Sequence, residues 1–186
     1  MSKSRIQKPL NVILAGFFGV CSGISFAASG EPVSSCGVVT NGLQVCISLS
    51  SSEFAAIEPI IVDLIVSNSS EKAFMIAVGR PEWVCDIEVM QVGEGKIAQT
   101  RFGVNAAQSI RRANPKPWLL KPGECRHDPI LLNRYFDMSV AGIYRVSITR
   151  RLSMPSASQG VIANSGDVEI RVIDEVPGGR SAWGGE

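Results

Sequence analysis

Alternating apolar residues are the feature that most constrains how this chain can fold. In segments 43–49 and 60–66 every second side chain is apolar, and shorter alternations recur at 85–89, 144–148 and 168–172. A two-residue repeat places those side chains on one face of an extended strand, whereas a helix needs a repeat near 3.6. Strands with turn signals at roughly ten-residue spacing predict an all-β, antiparallel sandwich of about seven or eight strands. A small β-barrel is the alternative that this pattern leaves open.

Other segments fit the same scheme. The apolar run 73–78 predicts a buried strand, and 96–102 can return as a partner strand after a glycine-rich turn. Segment 125–132 also predicts a strand, which Pro129 restricts to a sheet edge or a bulge because proline cannot donate to the ladder. One or two helical turns are expected within 106–112.

The N-terminus has the pattern of a secretory signal peptide. Three basic residues precede the apolar run 10–20, and small residues follow it as far as Ala27. The run is too short to span a bilayer, so we expect cleavage of 1–27 rather than a retained membrane anchor. The mature chain is then one domain, 28–176, with a flexible tail at 177–186. Such a leader predicts a protein of the periplasm or the extracellular medium.

Charge and composition exclude several function classes. The leader carries three basic and no acidic residues, so its removal lowers the formal net charge from +1 to −2. This balance gives no electrostatic attraction to nucleic acid. The chain has a single histidine, which excludes a multi-histidine metal site.

Cleavage of the leader also changes the number of cysteines. Cleavage removes Cys21 and leaves four cysteines, Cys36, Cys46, Cys85 and Cys125. An even number in an exported chain predicts two disulfides, for which three connectivities exist.

A hairpin selects among these connectivities. An Asn-Gly pair between two apolar runs is a strong hairpin signal. A two-residue turn there would leave Cys36 and Cys46 facing opposite sides, whereas a three-residue loop at 40–42 sets them directly across from each other. We therefore predict the three-residue loop, a disulfide Cys36–Cys46 and, from the remaining cysteines, a disulfide Cys85–Cys125.

The last third of the domain carries a recognisable series of turns. Segment 120–124 contains Pro-Gly-Glu, 133–139 reads Asn-Arg-Tyr-Phe-Asp-Met-Ser, and 141–146 reads Ala-Gly-Ile-Tyr-Arg-Val. The series resembles the end of immunoglobulin-like domains found in exported bacterial proteins and beside secreted metallopeptidases. This resemblance implies a tyrosine corner, in which Tyr144 returns its hydroxyl to nearby backbone and Gly142 permits the tight entry.

A second segment extends the resemblance. Segment 58–68 is similar to the second strand of the single-domain bacterial proteinase inhibitors with an immunoglobulin-like sandwich. The resemblance extends over about 90 of the 186 residues, from the first of these segments to the last. The resemblance implies the fold, with protease inhibition as one function. Antibody domains carry a cysteine two residues after the corner tyrosine; this chain has Val146, so that disulfide is absent.

The sequence lacks a catalytic constellation. His127 precedes Asp128 in a predicted strand, where consecutive side chains point to opposite faces, so this aspartate does not orient the imidazole. We expect a surface histidine. The chain contains no Gly-x-Ser-x-Gly elbow, no Cys-x-x-Cys pair and no nucleotide-binding fingerprint. We therefore expect no enzyme activity, no cofactor and no metal.

Three residues are candidates for binding a partner. They are Trp83 and Trp118, because exposed tryptophan side chains are common interaction anchors, and Arg80, which shares a short motif with Trp83. Arg80 and Trp83 lie in an Arg-Pro-Glu-Trp segment that is similar to one loop of immunoglobulin-like cysteine-protease inhibitors, whose other loop signatures are absent here. The alternative is that the tryptophans pack in the core against a disulfide.

These observations predict an exported, non-enzymatic binding module with a protein partner. The irregular segments 103–117 and 153–166 are the natural contact surfaces, because sandwich domains bind through their loops. One alternative is a protease inhibitor. Another is an accessory subunit of an envelope or secretion assembly that exchanges a strand at an open edge.

Overall fold

The computed structural model describes three stretches of the chain, 30–109, 114–152 and 161–174. The predicted leader 1–27 and the predicted tail 177–186 lie outside the described residues. The same holds for 110–113, in the first of the two expected contact segments, and for 153–160, in the second.

Eleven strands and three short helices make up the described part of the chain. In chain order they are β1 (Val33–Cys36), β2 (Leu43–Leu49), β3 (Glu53–Ala55), β4 (Ile61–Asn68), β5 (Phe74–Val78), α1 (Pro81–Val84), β6 (Cys85–Gln91), β7 (Gly95–Lys96), α2 (Arg101–Ser109), β8 (Lys116–Leu120), β9 (Cys125–Leu131), α3 (Leu132–Tyr135), β10 (Gly142–Arg151) and β11 (Ile162–Ile173). The prediction of a mostly β chain is confirmed.

The strands form two larger sheets and a ribbon. One sheet has the order β1-β2-β4-β9, the other has the order β3-β11-β10-β6-β7, and β5 pairs with β8 in a two-stranded ribbon. Neighbouring strands are antiparallel, apart from β3, which runs parallel to β11. Strand β9 is an edge strand, as Pro129 predicts.

The alternating residues form the core. In β2 and β4 every second side chain is almost fully buried, and the inward residues of β10 and β11 join them in one hydrophobic cluster. β10 and β11 contact β2, so the two larger sheets share this core. The period-two prediction is confirmed for these strands.

The first hairpin has the predicted disulfide but not the predicted turn. Cys36 pairs with Cys46 across β1 and β2, the two Cα atoms are 4.0 Å apart, and a disulfide joins them. The turn is the two-residue Asn-Gly type, closed by Thr40 N–H donating to the Leu43 carbonyl (2.8 Å) and Leu43 N–H to the Thr40 carbonyl (2.9 Å).

A bulge reconciles this turn with the disulfide. Between the pair at the turn and the cysteine pair lie three residues on the first strand, 37–39, but two on the second, 44–45. One extra residue on a strand reverses the face of those beyond it, which returns Cys36 to the same side as Cys46. The predicted three-residue loop is therefore wrong, because the additional residue lies beside the turn.

The predicted disulfide Cys85–Cys125 is also wrong, and both thiols are free. Cys85 begins β6 of the five-stranded sheet and is buried, whereas Cys125 begins β9 of the four-stranded sheet and is exposed. Along β9, Cys125 shares the outward face with His127 and Pro129. The two thiols therefore point to different sides of the four-stranded sheet.

A helix replaces the strand predicted at 96–102. Only Gly95–Lys96 pairs with β6, and α2 begins at Arg101. Thr100 precedes this helix, and its hydroxyl oxygen accepts a hydrogen bond from Gly103 N–H (3.1 Å), which satisfies a free donor of the first turn. The helix therefore starts earlier than the predicted turns within 106–112.

Tyr144 lies near the start of β10 with its ring buried. Its hydroxyl donates to the carbonyl oxygen of Val140, four residues upstream. A Cβ at Gly142 would lie 2.5 Å from the side-chain amide nitrogen of Gln91, so a larger residue would force that side chain to move.

Candidate binding site at the helical end

Three short helices pack together, and we call the region where they meet the helical end. α2 packs against both α1 and α3. Gly103 allows the close approach of α2 to α3, because a Cβ there would collide with the carbonyl oxygen of Tyr135. The same carbonyl accepts a hydrogen bond from Thr100 N–H at 2.9 Å. Backbone contacts thus fix the position of Tyr135.

Tyr135 joins the three helices through its side chain. Its hydroxyl donates to Oε2 of Glu82 on α1 at 2.9 Å. Its ring meets Phe102 of α2 edge to face, with centroids 5.3 Å apart. Burial, and then the hydrogen bond to the Glu82 carboxylate, raise the pKa of the Tyr135 hydroxyl above its ordinary value. This hydroxyl therefore stays protonated and acts as a donor.

Two arginines flank this tyrosine, each stacked on an aromatic ring. Arg134 Cζ lies 3.9 Å from the centroid of Phe102, and Arg80 Cζ lies 5.3 Å from the centroid of Trp83. Several other arginines form ion pairs with carboxylates, namely Arg126, Arg145, Arg150 and Arg151. Within 30–109, 114–152 and 161–174, no carboxylate pairs with Arg80 or Arg134.

These groups surround an open cavity of about 270 Å³. Its lining residues come from the three helices and the residue before α1: Arg80, Pro81, Glu82, Phe102, Arg134 and Tyr135. A second cavity of about 140 Å³ lies next to it and shares Glu82 and Tyr135. The helical end therefore presents positive groups, a carboxylate and apolar rings around one opening.

The structure separates the predicted binding residues. Arg80 lines the 270 Å³ cavity, but Trp83 is partly buried against the core and its indole N–H donates to Ser109 Oγ at 3.4 Å. Trp83 thus supports Arg80 rather than forming an exposed anchor. Trp118 lies on the β5–β8 ribbon, 48% exposed, with the Arg126 guanidinium 5.0 Å from its ring centroid. Among the described residues, neither tryptophan packs against the Cys36–Cys46 disulfide.

Sequence reasoning missed Glu82, Phe102, Arg134 and Tyr135 as site residues. They come from three elements that are far apart in the chain, and none belongs to a motif with fixed spacing. Arg134 and Tyr135 did fall in the turn segment 133–139. The available signal was Arg134 followed directly by two aromatic residues, just after the predicted strand 125–132.

The histidine also has a partner that local sequence did not show. His127 Nδ1 lies 2.6 Å from Oδ2 of Asp63, on the exposed outward face of the four-stranded sheet. Asp128 points inward, as expected, and pairs with Arg126 and Arg150. His127 is a surface histidine oriented by a residue of the neighbouring strand.

Cys85 and Arg150 form a buried polar group between the sheets. Arg150 is 1% exposed, its Nη1 lies 2.7 Å from Oδ2 of Asp128, and its Nη2 donates to the carbonyl of Ala77 at 3.3 Å. Burial raises the pKa of the Cys85 thiol to about 12, and the opposing effect of Arg150 is smaller. Cys85 therefore remains a protonated, unreactive thiol at neutral pH.

Two further observations concern the described residues alone. In them no three histidine, cysteine, aspartate or glutamate side chains converge as metal ligands would. Nor does this part of the chain contain a helix that is both long and apolar enough to cross a membrane.

Comparison with known proteins gives little. The sequence matches no protein-family model and no curated protein. A solved structure of the β-glucosidase EmGH1 from Erythrobacter marinus superposes with a TM-score of 0.35 at 10% identity. The similarity covers 76% of this chain but 16% of the β-glucosidase chain. It carries no argument about fold or function.

Proposed function

We propose that this chain is an exported, non-enzymatic, immunoglobulin-like module that binds a protein partner through its helical end. One observation carries this proposal. Two arginines stacked on aromatic rings face an open cavity, and neither has a carboxylate partner among the described residues. Stacked, unpaired arginines beside aromatic rings have the composition of an interaction site.

Strand order supports the immunoglobulin-like part of the proposal. β2, β4 and β9 are adjacent in the order of strands A, B and E, and β11, β10, β6 and β7 follow the order G, F, C and C′. The bond from the Tyr144 hydroxyl to the Val140 carbonyl has the geometry of a tyrosine corner. Both features agree with the resemblance drawn from the sequence.

Export is supported by chemistry rather than by a direct observation. The disulfide Cys36–Cys46 is the kind of bond that persists in oxidising compartments. It agrees with the predicted signal peptide at 1–27, and periplasm and medium are equally compatible with it.

Protease inhibition is less favoured by the structure. The Arg-Pro-Glu-Trp segment starts a helix, α1, and its Trp83 is turned toward the core. An inhibitory loop instead protrudes and enters the active-site cleft of the protease. We expect no stoichiometric inhibition of serine, cysteine or metalloproteases by the mature protein.

Strand exchange in an envelope assembly is also less favoured. The outer strand β9 carries Pro129 and the charged side chains of Arg126 and Asp128, which are features that oppose edge pairing. At the other edge of that sheet, β1 is only four residues long.

Site-specific crosslinking tests the proposal. A photoreactive amino acid placed at Asn105, an exposed residue of α2 one turn from Phe102, leaves both arginines in place and should crosslink one defined protein in envelope extracts, identified by mass spectrometry. The matched control places the same amino acid at Arg171, an exposed arginine on β11 outside the helical end. Identical crosslinked species from both positions, or none from position 105, would contradict the proposal.

A further inference from the structure

We infer that the 270 Å³ cavity of the helical end binds a single carboxylate group, supplied by an acidic side chain of the partner protein. This inference rests on the proposed function and specifies the chemistry of its site. The cavity is the one lined by Arg80, Glu82, Phe102, Arg134 and Tyr135.

The arginines are held in place for this task. A guanidinium stacked on a ring is fixed through its flat face, which leaves its N–H groups, at the edge, free to donate. Arg134 lies at stacking distance over Phe102, and the Phe102 ring is itself fixed against Tyr135. Arg80 lies over Trp83, which hydrogen-bonds to α2. Little side-chain freedom remains to be lost when a ligand binds.

The charges in the cavity favour a monoanion. Arg80 and Arg134 contribute two positive charges, and the Glu82 carboxylate, which accepts the Tyr135 hydroxyl, contributes one negative charge. The remaining charge is +1, which one carboxylate neutralises. A phosphate dianion would leave an excess negative charge beside Glu82. A carboxylate is also planar and matches the fork of a guanidinium in a bidentate arrangement.

The size of the cavity points to one side chain. Pockets for small-molecule ligands usually span about 300–1,000 Å³, so about 270 Å³ lies just below that range. Pro81 and the Phe102 ring provide apolar surface for the methylene groups of an aspartate or glutamate side chain. An acidic residue on the surface of a partner therefore fits both the volume and the polarity.

Binding of a model peptide to the mature, oxidised protein tests this inference. The probe is an acetylated, amidated Gly-Glu-Gly peptide, and the matched control is its Gly-Gln-Gly counterpart. Nuclear magnetic resonance follows the Nε–H signals of Arg80 and Arg134 and the indole N–H of Trp83. We expect saturable shifts with the glutamate peptide and none with the glutamine peptide.

Variants assign the effect to the cavity. Arg134→Gln or Arg80→Gln should weaken binding of the glutamate peptide about tenfold, because each variant loses one charge-assisted contact. Arg134→Lys retains the charge but loses the fork, so its loss should be smaller. Arg171→Gln removes an exposed arginine outside the cavity and should leave the affinity unchanged. Glu82→Gln should strengthen peptide binding and allow inorganic phosphate to bind as well.

Three results would overturn the inference. They are equal shifts with both peptides, equal weakening by Arg171→Gln and Arg134→Gln, or tighter binding of inorganic phosphate than of the glutamate peptide to the unaltered protein. Failure of the proposed function looks different. A partner crosslinked at position 105 without peptide binding would contradict the carboxylate inference alone, whereas peptide binding without any crosslinked partner would contradict the proposed function.

Discussion

Asp128→Asn should destabilise this protein more than replacement of its buried partner Arg150. Arg150 is 1% exposed, and Asp128 is its one carboxylate partner among the described residues, at 2.7 Å. Neutralising that carboxylate leaves a buried guanidinium uncompensated. Breaking a buried pair in this way costs about 3–5 kcal/mol of unfolding free energy.

The reverse change should cost less. In Arg150→Met, Asp128 keeps its second partner, Arg126 at 2.8 Å, and its side chain retains 20% exposure. Methionine fills much of the same volume and removes the Nε atom of Arg150, which is buried without a hydrogen-bond partner in the described structure. We expect a loss of about 1–2 kcal/mol, mainly from the lost charge-assisted hydrogen bond.

Urea denaturation of both variants and of the double variant measures the asymmetry. The double variant should recover most of the loss caused by Asp128→Asn, because no buried charge remains. The matched control is Asp86→Asn, which removes an exposed pair with Arg151 and should cost less than about 1 kcal/mol. A larger loss for Arg150→Met than for Asp128→Asn would refute this reasoning.

The remaining predictions concern the disulfide, α2 and the free thiols. Replacing both Cys36 and Cys46 by Ser should lower the free energy of unfolding by about 2–3 kcal/mol, since the loop is short; no change in urea denaturation would contradict it. Gly103→Ala should cost about 1–3 kcal/mol, because the new Cβ meets the Tyr135 carbonyl and forces α2 away from α3, whereas an unchanged melting curve would contradict that contact. In the native protein iodoacetamide should label exposed Cys125 and spare Cys85 until unfolding, as mass spectrometry would show. The raised pKa of the Cys85 thiol also sets a pH dependence. Between the ordinary thiol pKa of 9.0 and about 12 the unfolded state loses the thiol proton first, so stability should fall as pH rises, and Cys85→Ser should reduce that slope.

Local patterns in the sequence were enough for most of the sheet structure. Alternation in β2 and β4 depends on neighbouring residues alone, and each apolar side chain identified in this way is buried. The edge position of β9 was also predictable from local sequence, because Pro129 lacks an N–H and is restricted to an edge strand. Such features follow from backbone geometry and need no knowledge of the tertiary fold.

Features that depend on the register of distant strands could not be obtained in this way. The disulfide Cys36–Cys46 was predicted correctly from a wrong loop. A bulge beside a two-residue turn places Cys36 directly across from Cys46, and so does a three-residue loop. The pair Cys85–Cys125 was assigned by elimination, which ignored that Cys125 lies on the outward face with His127. Counting cysteines says nothing about which face of a strand each occupies.

The candidate site was only partly predictable for the same reason. Arg80 was identified through the resemblance of its Arg-Pro-Glu-Trp segment to an inhibitor loop. The roles of Arg134 and Glu82 become visible only when α1 and α3 meet through Tyr135. That contact joins residues 53 positions apart, and it depends on the start of α2 at Arg101, which the sequence analysis assigned to a strand.

The most direct test uses the partner captured at position 105. Its affinity is measured for the double variant Arg80→Gln/Arg134→Gln, for the unaltered protein and for Arg171→Gln. With equal melting temperatures, we predict a loss of affinity of at least about tenfold for the double variant and no loss for the control. Equal affinity of all three proteins for that partner would contradict recognition through the helical end.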